Sequence, residues 1–177
     1  MVGETNATKV EQVEVPASAP ALSTLPRVDY RDGFRLELPG GPELSGEEWA
    51  REVLEGASPD TRRSLRRGWP LLGLKMAPPG AAGAILGWRL RHSGPDYALL
   101  GADSRIGMPA ELLFLPEPGG LFFATLIQQR NPFVHALWAP IGRPHRRVVP
   151  ALMRHAAARV SARADSGAAD PVPPRPG

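Results

Sequence analysis

Residues 121–130 read LFFATLIQQR, and Asn131-Pro132 then turns the chain directly into a long segment of helical character that runs to Val160. The run is apolar at successive positions until Gln128, which predicts a strand over Leu121–Arg130 covered on both faces rather than one. A C-terminal helix would supply one cover. The N-terminal helices, a loop or a partner subunit would supply the other. Asn131 can cap the helix and Pro132 suits its first position, where the missing N–H is not needed. Pro140, Pro144 and Pro150 predict kinks or restarts, so the segment reads as a broken helix.

Working outward, Phe34, Leu36 and Leu38 alternate with Arg35 and Glu37, the period of a half-buried first strand that Pro39-Gly40-Gly41-Pro42 ends. Ser45 followed by Glu48 is a capping box and starts a helix whose Trp49, Val53, Leu54 and Ala57 share one face. Ser58-Pro59-Asp60 predicts the cap and first turn of a second helix, which carries Leu65. The segment LLGLKMAPPGAAG, residues 71–83, reads equally as a cover for a pocket mouth and as a connector packing Leu71, Leu72 and Leu74 on the core. Leu86, Trp88 and Leu90 then alternate with Arg89 and Arg91, and Ser93-Gly94-Pro95-Asp96 turns into a strand over Tyr97–Ala102, giving a hairpin. A further run over Met108–Leu115 carries Pro109, which favours a strand start, edge or bulge. Strand, two helices, a meander and a C-terminal helix together predict an α+β fold with a curved antiparallel sheet packed around that helix.

Composition bounds the rest. A chain of 177 residues with 42% hydrophobic content fits one domain with tails. Residues 1–26, rich in Ala, Ser, Thr, Pro and Glu, and residues 162–177, ending in a proline run, are expected to be disordered tails flanking a domain over 27–161. Without cysteine there is no disulfide, thiolate site or cysteine nucleophile. The N-terminus lacks a basic start followed by an apolar run, and no segment approaches the length of a membrane span, so a cytoplasmic protein without integral membrane insertion is expected. The net charge is +3, and of the 21 basic residues only Lys9 and Lys75 are lysine. Arg62, Arg63, Arg66 and Arg67 cluster on one helix, and Arg143, Arg146, Arg147 and Arg154 on another. Solvated helix faces explain both, and without interleaved aromatics they do not point to nucleic acid.

The stretches DYRDGFRLEL, WRLRHSGPDYALLGADS and TLIQQRNPF, running on into LWAPI and HRRVVP, make the chain resemble an uncharacterised bacterial SRPBCC-like (START-like, helix-grip) domain family. The resemblance covers most of residues 27–161. It implies a curved antiparallel sheet gripping a C-terminal helix, two short helices after the first strand and an internal cavity. It supplies no substrate, because that superfamily includes lipid carriers, hormone receptors, polyketide cyclases and stress proteins.

Helical spacing places Leu137, Ile141, His145, Val148 and Leu152 on one face of the C-terminal segment. His145 would then point toward the sheet, as a general acid or base or as a hydrogen-bonding partner of a ligand; at a restarted helix turn it would instead cap backbone or face solvent. Trp88 and Trp138 would wall an apolar ligand or simply pack the core. Thr125 and Gln129 share a strand face with Phe123 and Ile127, which meets either a cavity or solvent. Asp103 or Tyr97 would orient His145 in an enzyme, although Asp103-Ser104 also suits a turn. No nucleophile elbow, P-loop or dinucleotide fingerprint is present. His135, His145 and His155 recur every ten residues, about 80° apart on a helix, so no metal site is expected. Nor is a cofactor.

The expected function is therefore binding of an apolar or amphipathic small molecule between sheet and helix by Trp88, Thr125, Gln129, Trp138 and His145. A cyclase or dehydratase using His145 is the alternative in which the protein is an enzyme. A non-catalytic protein-interaction module or homodimer is the third.

Overall fold

The computed structural model describes residues 8–168. It is α+β: eight antiparallel strands form a curved, unclosed sheet with a long C-terminal helix packed against it, a helix-grip-like arrangement. In chain order the elements are β1 (Lys9–Val13), β2 (Tyr30–Glu37), α1 (Gly46–Leu54), α2 (Pro59–Leu71), β3 (Leu74–Lys75), β4 (Ala84–Ile85), β5 (Trp88–Ser93), β6 (Ala98–Ser104), β7 (Ala110–Glu117), β8 (Gly120–Ile127) and α3 (Pro132–Ala168). The sheet order is β1-β2-β8-β7-β6-β5-β4, with the short β3 pairing β6. The last strand thus lies inside the sheet, between β2 and β7.

Interior placement explains the apolar run. Leu121, Phe123 and Ile127 of β8 join the cluster under the helices, while Phe122, Ala124 and Leu126 join a second cluster on the opposite face. That second cluster is closed by the chain's own N-terminal segment. Val15 and Ala19 are buried in it, with Val13, Leu22, Leu25 and Val28 packed around them. Residues 14–28 therefore form a strap across the outer face, and β1 extends the sheet by pairing with β2 from Lys9↔Glu37 to Val13↔Gly33.

This corrects the expectation of a tail over 1–26: from Lys9 onward the segment is structured, because its scattered valines find partners far away in sequence. The expected tail over 162–177 is likewise helical as far as Ala168. What remains of both tail expectations, residues 1–7 and 169–177, lies outside the described residues. Cover of the outer face by the chain itself also removes the apolar strand as a reason to invoke a partner subunit.

A buried carboxylate fastens the strap. Glu111 on β7 is fully buried and accepts from Ser23 Oγ at 2.5 Å, from the Thr24 backbone N–H at 3.2 Å and from the Thr24 hydroxyl. Arg91 on β5 adds an ion pair at 2.7 Å. Both oxygens are thus engaged, as a buried charge requires.

On the inner face α1 is held firmly, burying Trp49, Ala50, Val53 and Leu54, and it begins with the reciprocal capping box of Ser45 and Glu48. Helix α2 starts on Ser58, whose side chain accepts from Thr61 N–H, yet none of its residues is fully buried. Leu71 at its end is exposed rather than packed, whereas Leu74 is buried in the core.

Helix α3 is one continuous helix of 37 residues, not a broken one. Pro140, Pro144 and Pro150 release the carbonyls of Ala136, Pro140 and Arg146. Ala136 and Pro140 are exposed and Arg146 is half-buried, so solvent can serve the released groups. Asn131 caps the start, accepting from Val134 N–H at 3.0 Å.

Candidate functional site

Between the inner sheet face and α3 lies a cavity of about 100 Å³. Its floor is Ala110 and Leu112 of β7 with Thr125 and Ile127 of β8. Trp138, Ile141, His145, Val148, Val149 and Leu152 of α3 form the roof. The side wall comes from Leu65 and Trp69 of α2, from Leu72 and Leu74 beyond it, and from Trp88. The spacing argument for α3 thus holds for Ile141, His145, Val148 and Leu152; Leu137 does not reach the cavity. Small residues on the floor, Ala110 and Thr125, leave the space that two larger side chains would fill.

The lining is apolar with few polar atoms. Trp88 stands edge-on to Trp69, ring centroids 5.4 Å apart, and Trp138 lies 5.0 Å from Tyr30 in the same manner. The buried indole N–H groups of Trp88 and Trp138 have no hydrogen-bond partner among the described residues. A buried donor left unpaired costs about 1–3 kcal/mol. The Trp138 Nε1 lies on the Gly142 side of its ring, 3.6 Å from where a Cβ at that position would stand.

His145 reaches into the site as its position on α3 requires. Its Nε2 lies 3.0 Å from Thr125 Oγ1 and 3.4 Å from Asp32 Oδ2. Asp32 and Thr125 are cross-strand partners on β2 and β8, so one imidazole bridges both. A carboxylate can only accept, which places the proton of neutral His145 on Nε2 and leaves Nδ1 as the basic nitrogen. Tyr30 donates its hydroxyl to the same Asp32 oxygen at 2.7 Å. Asp32 Oδ1 is buried with no partner. Burial pushes the Asp32 carboxyl up, but His145, Tyr30 and Thr125 outweigh it and hold the group below its ordinary value of 3.8. Burial and then Asp32 push the Tyr30 hydroxyl up to about 12.

Four of the five expected ligand-binding residues, Trp88, Thr125, Trp138 and His145, line the cavity. Gln129 does not. The strand ends at Ile127, where the Asp29 side chain accepts from the Gln129 backbone N–H at 2.7 Å. The Gln129 amide oxygen then meets His135 Nδ1 at 2.7 Å in a surface groove. Asp103 and Tyr97 are also elsewhere. Asp103 pairs with Arg91 at 2.9 Å, and Tyr97 stacks on His92 at 4.0 Å and packs with the outer-face cluster. Neither can orient His145. The carboxylate that does so, Asp32, is in phase with Phe34 and Leu36 on β2; a carboxylate on the buried face of an alternating strand was the signal available in the sequence.

Among the described residues no three His, Asp or Glu side chains are grouped to hold a metal ion, and no helix is long and apolar enough to cross a membrane. No family model matches the chain, and no curated protein or solved structure matches it.

Proposed function

We propose that this chain is a small-molecule-binding domain of SRPBCC-like type, which holds an apolar or amphipathic ligand between β7, β8 and α3. The supporting observation is the apolar cavity walled by Trp88 and Trp138, with Thr125 and His145 as its polar lining residues. A cavity of this size is of the order of one that accepts a benzene-sized guest, about 150 Å³ in an engineered case. Apolar contact supplies affinity, while Thr125 and His145 select a guest with a polar group.

The experiment is native mass spectrometry of freshly purified protein together with titration of an apolar fluorescent dye. A bound small molecule, and dye retention weakened about tenfold or more by Trp138→Ala, is the expected result, since losing a large aromatic wall is worth more than 1.4 kcal/mol. If the wild-type protein retains neither native ligand nor dye, carriage is excluded.

The His145–Asp32 pair favours a second reading, an enzyme of cyclase or dehydratase type. There Nδ1 of His145 takes a proton from an acidic carbon of a β-hydroxy guest while Asp32 steadies the imidazolium. The double bond then forms as the C–O bond breaks, and the imidazolium returns the proton to the departing oxygen, which leaves as water. Asp32 replaces Asp103 and Tyr97 in that role. Incubating the retained molecule with the protein and following its mass separates the readings. Loss of water that His145→Ala abolishes selects the enzyme, and an unchanged molecule selects carriage.

A further inference from the structure

We propose that the ligand is an amphipathic carboxylate, its tail in the cavity and its head in an adjoining surface groove on Arg143 and Arg146; this rests on the binding reading above. The groove measures about 260 Å³ and is lined by Tyr30, Gln129, His135, Trp138, Arg143 and Arg146, together with Asp29, Ala139 and Gly142. Trp138 belongs to both spaces, being a wall of the cavity on one side and of the groove on the other. A molecule occupying both would lie against its ring.

The groove's charges are unbalanced. Arg143 and Arg146 stand three residues apart on α3, hence on one face, and neither forms an ion pair among the described residues. Asp29 is the single carboxylate of the lining, and it is already engaged by Arg27 at 2.5 Å and by the Gln129 backbone N–H. Asp32, behind Tyr30, is engaged by Tyr30 and His145. Two planar guanidinium groups without a carboxylate partner suit a planar anion, which they can hold by paired hydrogen bonds.

Gly142 opens the groove. A Cβ there would stand 3.6 Å from Trp138 Nε1, 3.8 Å from Tyr30 Oη and 3.9 Å from an Arg146 nitrogen, so a methyl fits and anything larger occupies the place assigned to the head. Glycine inside a helix costs about 1 kcal/mol relative to alanine. At this position it keeps the floor of the groove clear. The cavity volume of about 100 Å³ limits the tail to a single ring or a short branched chain.

The test compares three probes by calorimetric titration: 3-phenylpropionate, its alcohol 3-phenylpropanol, and propionate. The acid is expected to bind about tenfold or more tightly than the alcohol, the range of one charge-assisted hydrogen bond. Arg143→Gln with Arg146→Gln should erase that advantage, bringing the acid's affinity down to that of the alcohol in the same variant, and propionate should bind weakly or not at all. Gly142→Leu should erase the advantage by filling the groove without removing a charge. Equal affinity of acid and alcohol in the wild type overturns the head assignment and leaves the cavity reading standing. An acid advantage that survives the arginine replacements also overturns it. Failure of both acid and alcohol, with native circular dichroism, removes the cavity reading itself, and propionate binding as tightly as phenylpropionate removes the tail.

Discussion

Two carboxylates are buried in this sheet, one on each face, and they are treated in opposite ways. Glu111 on the outer face has every acceptor position served: Ser23, Thr24 through both its backbone and its hydroxyl, and Arg91 all converge on it. Asp32 on the inner face uses one oxygen for Tyr30 and His145 and leaves the other without a partner. The saturated group lies under a strap that fills the outer face with Val15, Ala19 and their neighbours. The unsaturated group lies behind Thr125 and His145, which line a cavity. A buried charge whose needs are met by its own chain is structural. One that leaves an oxygen unpaired beside a histidine lining a cavity is arranged for something the chain does not supply.

The contrast makes its largest claim about the outer face. Glu111→Gln keeps the shape but places an NH₂ group against a ring of donors and leaves Arg91 without its buried partner. Breaking a fully buried pair costs about 3–5 kcal/mol. Arg91 keeps Asp103 at 2.9 Å, so the loss should lie at or below the low end of that range, and the urea midpoint should fall by that free energy divided by an unchanged slope. A cost near zero would show that the strap is held by apolar contact alone and that the two carboxylates do not differ as described.

The same contrast separates what sequence could show from what it could not. Local signals carried far: the capping box at Ser45, the cap at Ser58, the hairpin around Ser93–Asp96 and the doubly covered strand are each written within ten residues or so. The strap was hidden because its strength lies in contacts between residues about 90 positions apart, such as Ser23 with Glu111. Alanine, serine and proline in a row carry no period that reports such a partner. The three prolines misled for the opposite reason. Their local cost is real, but here it falls on the exposed side of α3. At the site, the spacing on α3 was enough to bring His145 inward, while its partner could be found only by noticing that Asp32 shares a face with Phe34. Gln129 was misplaced because alternation was carried two residues past the strand's end at Ile127.

The two short helices that cover the inner face should also differ in mobility. Helix α1 buries Trp49, Val53 and Leu54, whereas α2, which walls the cavity with Leu65 and Trp69, buries no residue fully. Amide exchange in the middle of α2 is expected to be faster than in α1 by about ten- to a hundredfold after correction for intrinsic rates, a gap of about 1.4–2.7 kcal/mol in opening free energy. Ligand should slow α2 selectively. Equal protection of both helices in the unliganded protein would mean that α2 is as firmly seated as α1.

The smallest effect is expected at the inner carboxylate. Asp32→Asn can keep its oxygen toward Tyr30 and put its NH₂ where an oxygen had no partner, and it lifts the desolvation of a buried charge. At neutral pH the change should therefore cost less than about 1 kcal/mol, against a larger loss for the matching replacement of Glu111. Acid separates the variants further. The Asp32 carboxyl lies below its ordinary value of 3.8 in the folded protein, so the unfolded chain binds that proton more tightly. Its stabilisation is complete above about pH 4 and is lost as pH falls through the folded value. In Asp32→Asn this part of the acid limb is absent, and the variant's stability should fall less steeply than wild type below pH 4. An asparagine that destabilises as much as Glu111→Gln at neutral pH would show that Asp32, too, is a structural anchor, and would withdraw the distinction on which the enzymatic reading of His145 depends.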